Sequence, residues 1–241
     1  MTTGLFDLPA PLFRLLDALL SPLPAAARLV VWALAGAALS MWLYKLLSPQ
    51  RKLVETEAAA LAARRELNAY DGEFDGAWPL IARVFRTAGK RLWLALPPAV
   101  AASLPLLALV VWLYADYGYR FPEAGEAAAA RAQPDGYEAS LVQRDNDGHR
   151  VIVRAPDGDV VSDVPLSAPV PAIEKRLWWN VLIGNPSGYL PAAGPVDRVE
   201  VALPGREILP LGPGWLRGWE VFFFTFLVAF SLIIKKVGRI A

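Results

Sequence analysis

Few side chains in this sequence have the types and spacing that chemistry requires. Asp145, Asp147 and Gly148 superficially have the spacing of a calcium loop, but an EF-hand needs a glutamate at the twelfth position of the loop, where Pro156 lies. The Asp-Asn-Asp-Gly stretch is more typical of a hairpin turn. His149 is the single histidine and there is no cysteine to share a metal with it. The sequence therefore predicts no zinc or calcium site.

The motifs of nucleotide-binding and hydrolytic enzymes are also missing from the sequence. It contains no phosphate-binding loop, no dinucleotide fingerprint and no nucleophile elbow. The lack of cysteine excludes disulfides and thiol chemistry. The formal charge is only +1, which argues against nucleic acid as a partner because such proteins need a dense basic patch. We therefore predict no enzyme activity, no cofactor and no bound metal.

Composition and patterning indicate a membrane protein. Hydrophobic residues make up 55% of the 241 residues, above the ~45–50% of ordinary soluble domains, and they are concentrated in blocks. A helix of about 20 apolar residues crosses the hydrocarbon layer. Residues 29–47, 92–115 and 215–234 meet this condition, the last with Trp215 and Arg217 in the headgroup layer. The alternative, three buried core helices, is disfavoured by their aromatic and cationic flanks.

Residues 1–28 form a separate segment before the first predicted span. Its leucines and Phe13, placed between Pro11 and Pro22, form an apolar face. This pattern predicts a short amphipathic helix that lies on the membrane surface. A removable secretory signal is less favoured, because the first cation is Arg14 and a signal begins with a basic region.

The distribution of cations predicts the orientation of the chain. Residues 48–91 carry eight Lys and Arg, and the tail 235–241 carries three, whereas residues 116–214 carry 9 against 14 Asp and Glu. Short cation-rich segments stay in the cytoplasm, while long domains cross largely regardless of charge. We expect a multi-pass protein of the bacterial inner membrane with its N-terminus outside, 48–91 inside, 116–214 outside and the C-terminus inside.

The two segments between the predicted spans differ in pattern. Residues 48–91 predict a cytoplasmic helical hairpin, either merely solvated or acting as a basic platform for lipid headgroups or a client chain. Residues 116–214 contain alternating stretches and turn signals that predict a β-rich extracytoplasmic domain. Trp178 and Trp179 can belong to its core or lie on the outer membrane surface. The predicted fold class is a mainly α membrane protein with an inserted β-rich domain.

Polar and helix-bending residues in the spans predict a shallow groove that opens to the cytoplasm. Pro97, Pro98 and Pro105 each remove a backbone N–H from the second span, so its inner half is expected to be irregular and hydrated. The remaining candidates are hydroxyl side chains in the spans and cations at the groove mouth, namely Ser40, Ser103, Thr225, Ser231, Lys45, Lys90 and Arg91. The alternative is ordinary helix packing, which small residues in the first span also permit.

The order of these parts resembles the Oxa/YidC membrane insertase superfamily. It is most similar to minimal three-span members, such as the insertase subunit of the endoplasmic-reticulum membrane complex, archaeal relatives and bacterial members. The resemblance rests on KLLSPQRK at 45–52, the charged helix after it and LALPP at 94–98, and covers about 29–115 and 215–239. Two features depart from the family: a β-rich segment joins the last two spans, and the hairpin is short.

The resemblance implies a function without covalent chemistry. Such insertases thin the bilayer and offer a hydrated groove, which lowers the cost of moving polar groups through hydrocarbon. The implied partners are membrane lipids and client membrane proteins. An alternative function of a different class stays open: the protein is a non-catalytic membrane subunit whose outer β domain binds an extracytoplasmic protein.

Overall fold

A computed structural model of the chain describes residues 3–123, 126, 128–144, 148–209 and 212–240. Helices and strands alternate in blocks along these residues. The helices are α1 (Ala10–Leu19), α2 (Ala25–Leu47), α3 (Gln50–Asn68), α4 (Phe74–Tyr117), α5 (Gly214–Arg217) and α6 (Trp219–Gly238). The strands are β1 (Ala130–Gln133), β2 (Glu138–Arg144), β3 (Gly148–Arg154), β4 (Val160–Leu166), β5 (Ala172–Glu174) and β6 (Arg198–Val201).

Three of the described helices, α2, α4 and α6, are long and apolar enough to cross a membrane. This finding confirms the predicted number of such helices. Only 28%, 22% and 11% of their most apolar windows are buried within the protein. Their apolar side chains therefore face outward, which is the arrangement of helices that have lipid as their solvent.

Helix α4 is longer than the predicted second span because it runs unbroken for 44 residues. The sequence predicted a helix over 78–90 and a separate span from residue 92. No helix breaker separates the two, since residues 89–92 read Gly-Lys-Arg-Leu and only Gly89 lowers helix propensity there. The boundary at residue 91 is a change in polarity within one helix. The helix also continues through Pro97, Pro98 and Pro105, where an irregular backbone was expected.

The β region comprises two antiparallel sheets of three strands each, in the orders β1-β6-β5 and β2-β3-β4. This confirms the prediction of a β-rich segment between the second and third long helices. In the second sheet β2 pairs with β3 in register, with Arg144 opposite Gly148. The predicted turn residues Asp145, Asn146 and Asp147 lie outside the described residues.

A conventional hydrophobic core holds the β region together. Val151 and Val153 alternate on β3 and are fully buried, as are Ile173 on β5 and Val199 on β6. Each buried aliphatic side chain of this size contributes about 1.5–3 kcal/mol through the removal of apolar area from water. Strand β1, which falls in a stretch with no strand pattern of its own, joins this core by pairing with β6 across about 70 residues.

The chain divides into two compact units. The first, here the β-containing unit, comprises Met1–Val31 and Leu107–Phe224. The second, here the helical unit, comprises Trp32–Leu106 and Thr225–Ala241. The β-containing unit holds the β region and α1, and the helical unit holds α3.

Candidate functional site

The helical unit contains a cavity of about 410 Å³ between α2, α4 and the end of α6. Its lining combines small, polar and apolar side chains with one cation. The lining residues are Ser40, Met41, Tyr44, Ala99, Ala102, Ser103, Leu106, Lys235 and Ile240. Two of the hydroxyl residues predicted for the groove, Ser40 and Ser103, therefore line one cavity.

Helical spacing explains why these residues share the cavity. On α2, Ser40 and Tyr44 are four apart and lie on one face of the helix. On α4, Ala99, Ala102 and Ser103 follow the i, i+3, i+4 spacing, and Leu106 continues the same face. Alanine and serine are short side chains that often permit close helix packing, but at this level of the helical unit they line open space.

The polar atoms of the cavity can bind a polar group. The Ser40 Oγ is buried and has no hydrogen-bond partner among the described residues. The Ser103 Oγ donates to the Val100 carbonyl oxygen at 2.8 Å and can still accept a hydrogen bond. Lys235, an exposed residue, also lines the cavity and brings a cationic side chain to it. Since an unpaired buried hydroxyl costs about 1–3 kcal/mol, a polar or anionic group that enters here is stabilised.

The predicted cations of the groove mouth fall in two places. The Lys45 Nζ donates to the Gly238 carbonyl oxygen at 3.0 Å, which joins the end of α2 to the end of α6 next to the cavity. Arg91 instead forms an ion pair with Glu57 of α3 at 3.2 Å. Lys90 is exposed on α4. Of these three described residues, none lines the cavity itself, and Lys45 is the one tied to its border.

The other predicted groove residues do not line this cavity either. Pro97 is exposed, Pro98 is buried and Pro105 is half-buried on α4. On α6, Thr225 is exposed and Ser231 is half-buried. All five are described residues, and they lie outside the cavity lining. The prolines still remove helical donors from the carbonyls of residues 93, 94 and 101, which keeps polar backbone in this wall of α4.

Sequence reasoning missed several lining residues. Lys235 was interpreted as a signal of orientation, and Met41 and Tyr44 were treated as ordinary span residues. The signal that would have found the α4 wall is the repeat of small residues at 99, 102 and 103 on one helical face. The repeat lies next to Pro98 and Pro105, and these prolines favoured the prediction of an irregular backbone over that of a wall of small side chains.

Helix α3 and the first turns of α4 form a second feature of the helical unit, here the hairpin surface. The two helices are joined by the ion pair of Arg91 with Glu57 and by a close ion pair of Arg83 with Glu66. Several large apolar side chains on these helices are nevertheless exposed, namely Val54, Leu61, Phe74, Trp78, Phe85, Leu92 and Trp93. A charged hairpin with this much exposed apolar area is suited to contact lipid or an apolar segment of another protein.

His149, the single histidine of the sequence, packs against another ring of the β-containing unit. The His149 ring stacks on Phe121 with centroids 4.1 Å apart and planes 2° apart. Within the described residues, no group of three or more His, Cys, Asp or Glu is arranged to hold a metal. The aspartates of the predicted turn are not among those residues.

Comparisons with known proteins were made at three levels. No family model, no curated protein and no solved structure matches the chain. A function must therefore be supported by the cavity, the hairpin surface and the distribution of charge.

Proposed function

We propose that this protein is an insertase-like factor of the bacterial inner membrane that assists the insertion or assembly of other membrane proteins. It works by offering a polar cavity within the membrane to a hydrophilic part of a client chain, without covalent chemistry or a cofactor. The observation that carries the proposal is the cavity of the helical unit, whose mixed polar and apolar lining includes the buried Ser40 hydroxyl and the cationic residue Lys235.

The membrane placement is supported by the charges at the helix ends. The ends of α2, α4 and α6 that were predicted to lie outside all belong to the β-containing unit. The opposite ends of these helices belong to the helical unit, as do Lys45 and Lys235 near the ends of α2 and α6 and Lys90 within α4. This division matches three antiparallel crossings with the N-terminus outside and the C-terminus inside.

The cavity has the properties that the proposed activity needs. Moving an unsatisfied polar group through hydrocarbon costs several kcal/mol, and a hydrated cavity with hydrogen-bonding walls lowers that cost. Lys235 favours acidic or polar client segments, because a cation near hydrocarbon has a strong electrostatic effect. The hairpin surface supplies exposed apolar side chains beside cations, the combination that a client with a membrane span would contact before insertion.

The hydration of the cavity can be tested by cysteine accessibility, since the chain has no cysteine of its own. We expect Ser40→Cys and Ser103→Cys to react with a small water-soluble thiol reagent. Leu39→Cys and Leu104→Cys are matched controls at the same depth, with side chains exposed on the outside of the helices. Those thiols stay unreactive in lipid, because the thiolate form is suppressed there. Equal rates at all four positions would overturn the hydrated cavity.

The activity itself can be tested by depletion of the protein followed by quantitative membrane proteomics. We expect a class of membrane proteins to be lost and to return with the wild-type chain. The variant Lys235→Gln should restore them poorly, whereas Lys236→Gln, with the same change of charge one residue away, should restore them well. A membrane proteome that is unchanged by depletion would contradict insertion and favour the alternative, in which the β region binds an extracytoplasmic protein.

A further inference from the structure

Two exposed apolar segments occur in the β-containing unit. On α1, Leu12, Leu15, Leu16 and Leu19 follow the i, i+3, i+4, i+7 spacing and all four are exposed. The second segment is the short helical turn Trp178–Val181 with its neighbour Leu182. Trp178 is 84% exposed, which is unusual for a tryptophan outside an interface.

The side of α1 that faces the protein carries the polar Asp17 together with Phe13, and the leucines face outward, whereas a helix on a water-soluble domain turns its leucines inward. Asp17 accepts hydrogen bonds from Arg28 and from the Tyr117 hydroxyl, both at 2.6 Å. Phe13, one turn earlier, packs against Trp112 with ring centroids 5.5 Å apart. These contacts fix α1 beside the first turn of α2 and the last turns of α4, and they direct its leucines outward.

The tryptophan turn is held in place rather than loosely exposed. Asn180 is buried, and its Oδ1 accepts the Leu177 N–H at 2.7 Å. Its amide nitrogen donates to the Ile183 carbonyl oxygen at 3.2 Å. The turn therefore presents Trp178 and Val181 on a fixed backbone.

The two segments are joined to each other. The Phe6 N–H donates to the Leu182 carbonyl oxygen at 2.9 Å, and the Gly184 N–H donates to Asp7 Oδ2 at 2.7 Å. Gly4 lies directly under this junction, where a Cβ would come within 2.6 Å of the Leu182 carbonyl group. Only glycine fits this close approach, so the leucine face of α1 and the tryptophan turn belong to one connected structure.

We propose that this structure is an interfacial anchor: the leucine face of α1 and the tryptophan turn are embedded in the headgroup layer of the membrane where α2 begins. The occupant of the surface is lipid. Leucines reach the acyl boundary, and tryptophan is enriched at the headgroup level. The surface is continuous with a membrane-length helix, because the start of α2 holds α1 through Arg28. The inference rests on the membrane placement of the proposed function, but not on insertion activity.

The anchor is tested on the full chain in vesicles of phosphatidylcholine and phosphatidylglycerol. Single cysteines at Leu15 and Val181 are labelled with an environment-sensitive fluorophore, and nitroxide-bearing lipids serve as the quencher. We expect both labels to lose most of their fluorescence. Val160, 52% exposed on β4, supplies a matched water-facing control that stays bright. Val228, 56% exposed on α6, supplies the membrane-span control that is quenched.

The outcomes separate this proposal from the proposed function. If the label at Val228 is quenched and the label at Val181 behaves like that at Val160, the anchor is wrong and the turn is a surface for a protein. If the label at Val228 is not quenched either, the membrane placement itself fails. In addition, Gly4→Val should push the junction apart, so the label at Val181 should regain fluorescence while the label at Leu15 stays quenched. No change at Val181 in this variant would contradict the coupling.

Discussion

The β region and the three long helices bury different parts of their apolar surface. In the β region, valines and isoleucines of both sheets meet in one core, and the charged side chains lie outside. In α2, α4 and α6, most of the apolar window is not buried within the protein, while Ser40 and Ser103 line an open cavity between the helices. The comparison shows that one chain holds its parts together in two ways: the β region buries its apolar side chains as water-soluble domains do, whereas the long helices leave most of theirs exposed, as helices able to cross a membrane do.

We expect the largest loss of stability from the removal of a core side chain in the β region. Replacing the fully buried Ile173 by alanine removes three carbons and leaves a cavity, which costs about 2–5 kcal/mol. We expect faster hydrogen exchange in peptides that cover β3 and β6, measured by mass spectrometry on the full chain. Val142→Ala, at an exposed position on β2, should leave these rates nearly unchanged. Equal effects of the two substitutions would mean that the region has no specific core.

A charge on the outward apolar face of α6 should impair membrane integration, whereas the same charge on the surface of the β region should not. Val228 and Val160 are similarly exposed, at 56% and 52%. Placing Asp at the centre of a membrane span costs about 3 kcal/mol, whereas it costs almost nothing on a surface in water. Val228→Asp should therefore lower the fraction of protein in the membrane pellet, and Val160→Asp should not. If both variants integrate equally well, α6 is not in contact with lipid.

The attachment of α1 differs from both the β core and the long helices, because it depends on the polar side chain of Asp17. Asp17 accepts one hydrogen bond from the Arg28 guanidinium and one from the Tyr117 hydroxyl in a largely buried place. Asp17→Ala removes both, and we expect the attachment of α1 to be weakened by about 1.5–3 kcal/mol. Arg14→Ala breaks only the exposed pair with Asp116 and should cost less than about 1 kcal/mol. Limited proteolysis between α1 and α2 measures the difference. A larger effect from the Arg14 variant would show that Asp17 does not hold the helix.

The smallest expected effect is a pH dependence at the base of the β region. The Arg120 guanidinium, at 2.8 Å, and the Glu123 N–H, at 3.1 Å, hold the pKa of Glu126 below its ordinary value. A depressed pKa means that this pairing stabilises the folded state above the ordinary pKa and is lost as pH falls through the lowered one. Carbon-detected NMR titration should show this low pKa, and Arg120→Gln should return it toward normal. An unchanged pKa in that variant would exclude Arg120 as its cause.

Local patterns predicted the parts of the fold whose cause is local. The three apolar blocks and the β2–β3 hairpin follow from nearby residues, and both are present. Strand β1 has no alternating pattern of its own, and its partner β6 is about 70 residues away, so its formation depends on the assembled sheet. The unbroken α4 was missed because a change from charged to apolar residues was interpreted as a helix end.

Two of the four hydroxyl residues predicted for the groove line the cavity, whereas its cationic residue was not among the predicted ones. Ser40 and Ser103 stand out because polar side chains are rare within spans, and both line the cavity. Lys235 belongs to a cationic tail in which neighbouring lysines look alike in the sequence. Only the three-dimensional packing of the helical unit distinguishes Lys235, which lines the cavity, from Lys236, which does not.

The length of α4 makes it a lever. Its charged and amphipathic part, residues 74–91, continues into the apolar part as one helix and extends about 27 Å at ~1.5 Å per residue. A change of about 10° in the tilt of residues 74–91 displaces their far end by about 5 Å, within the tilt range that membrane helices adopt. Pro97 and Pro98 lack helical donors and lie between this arm and the wall that carries Ala99, Ala102 and Ser103, so they are the place where such a motion bends the helix. The position of the arm and the width of the cavity are then coupled to the extent that this pair of prolines resists bending.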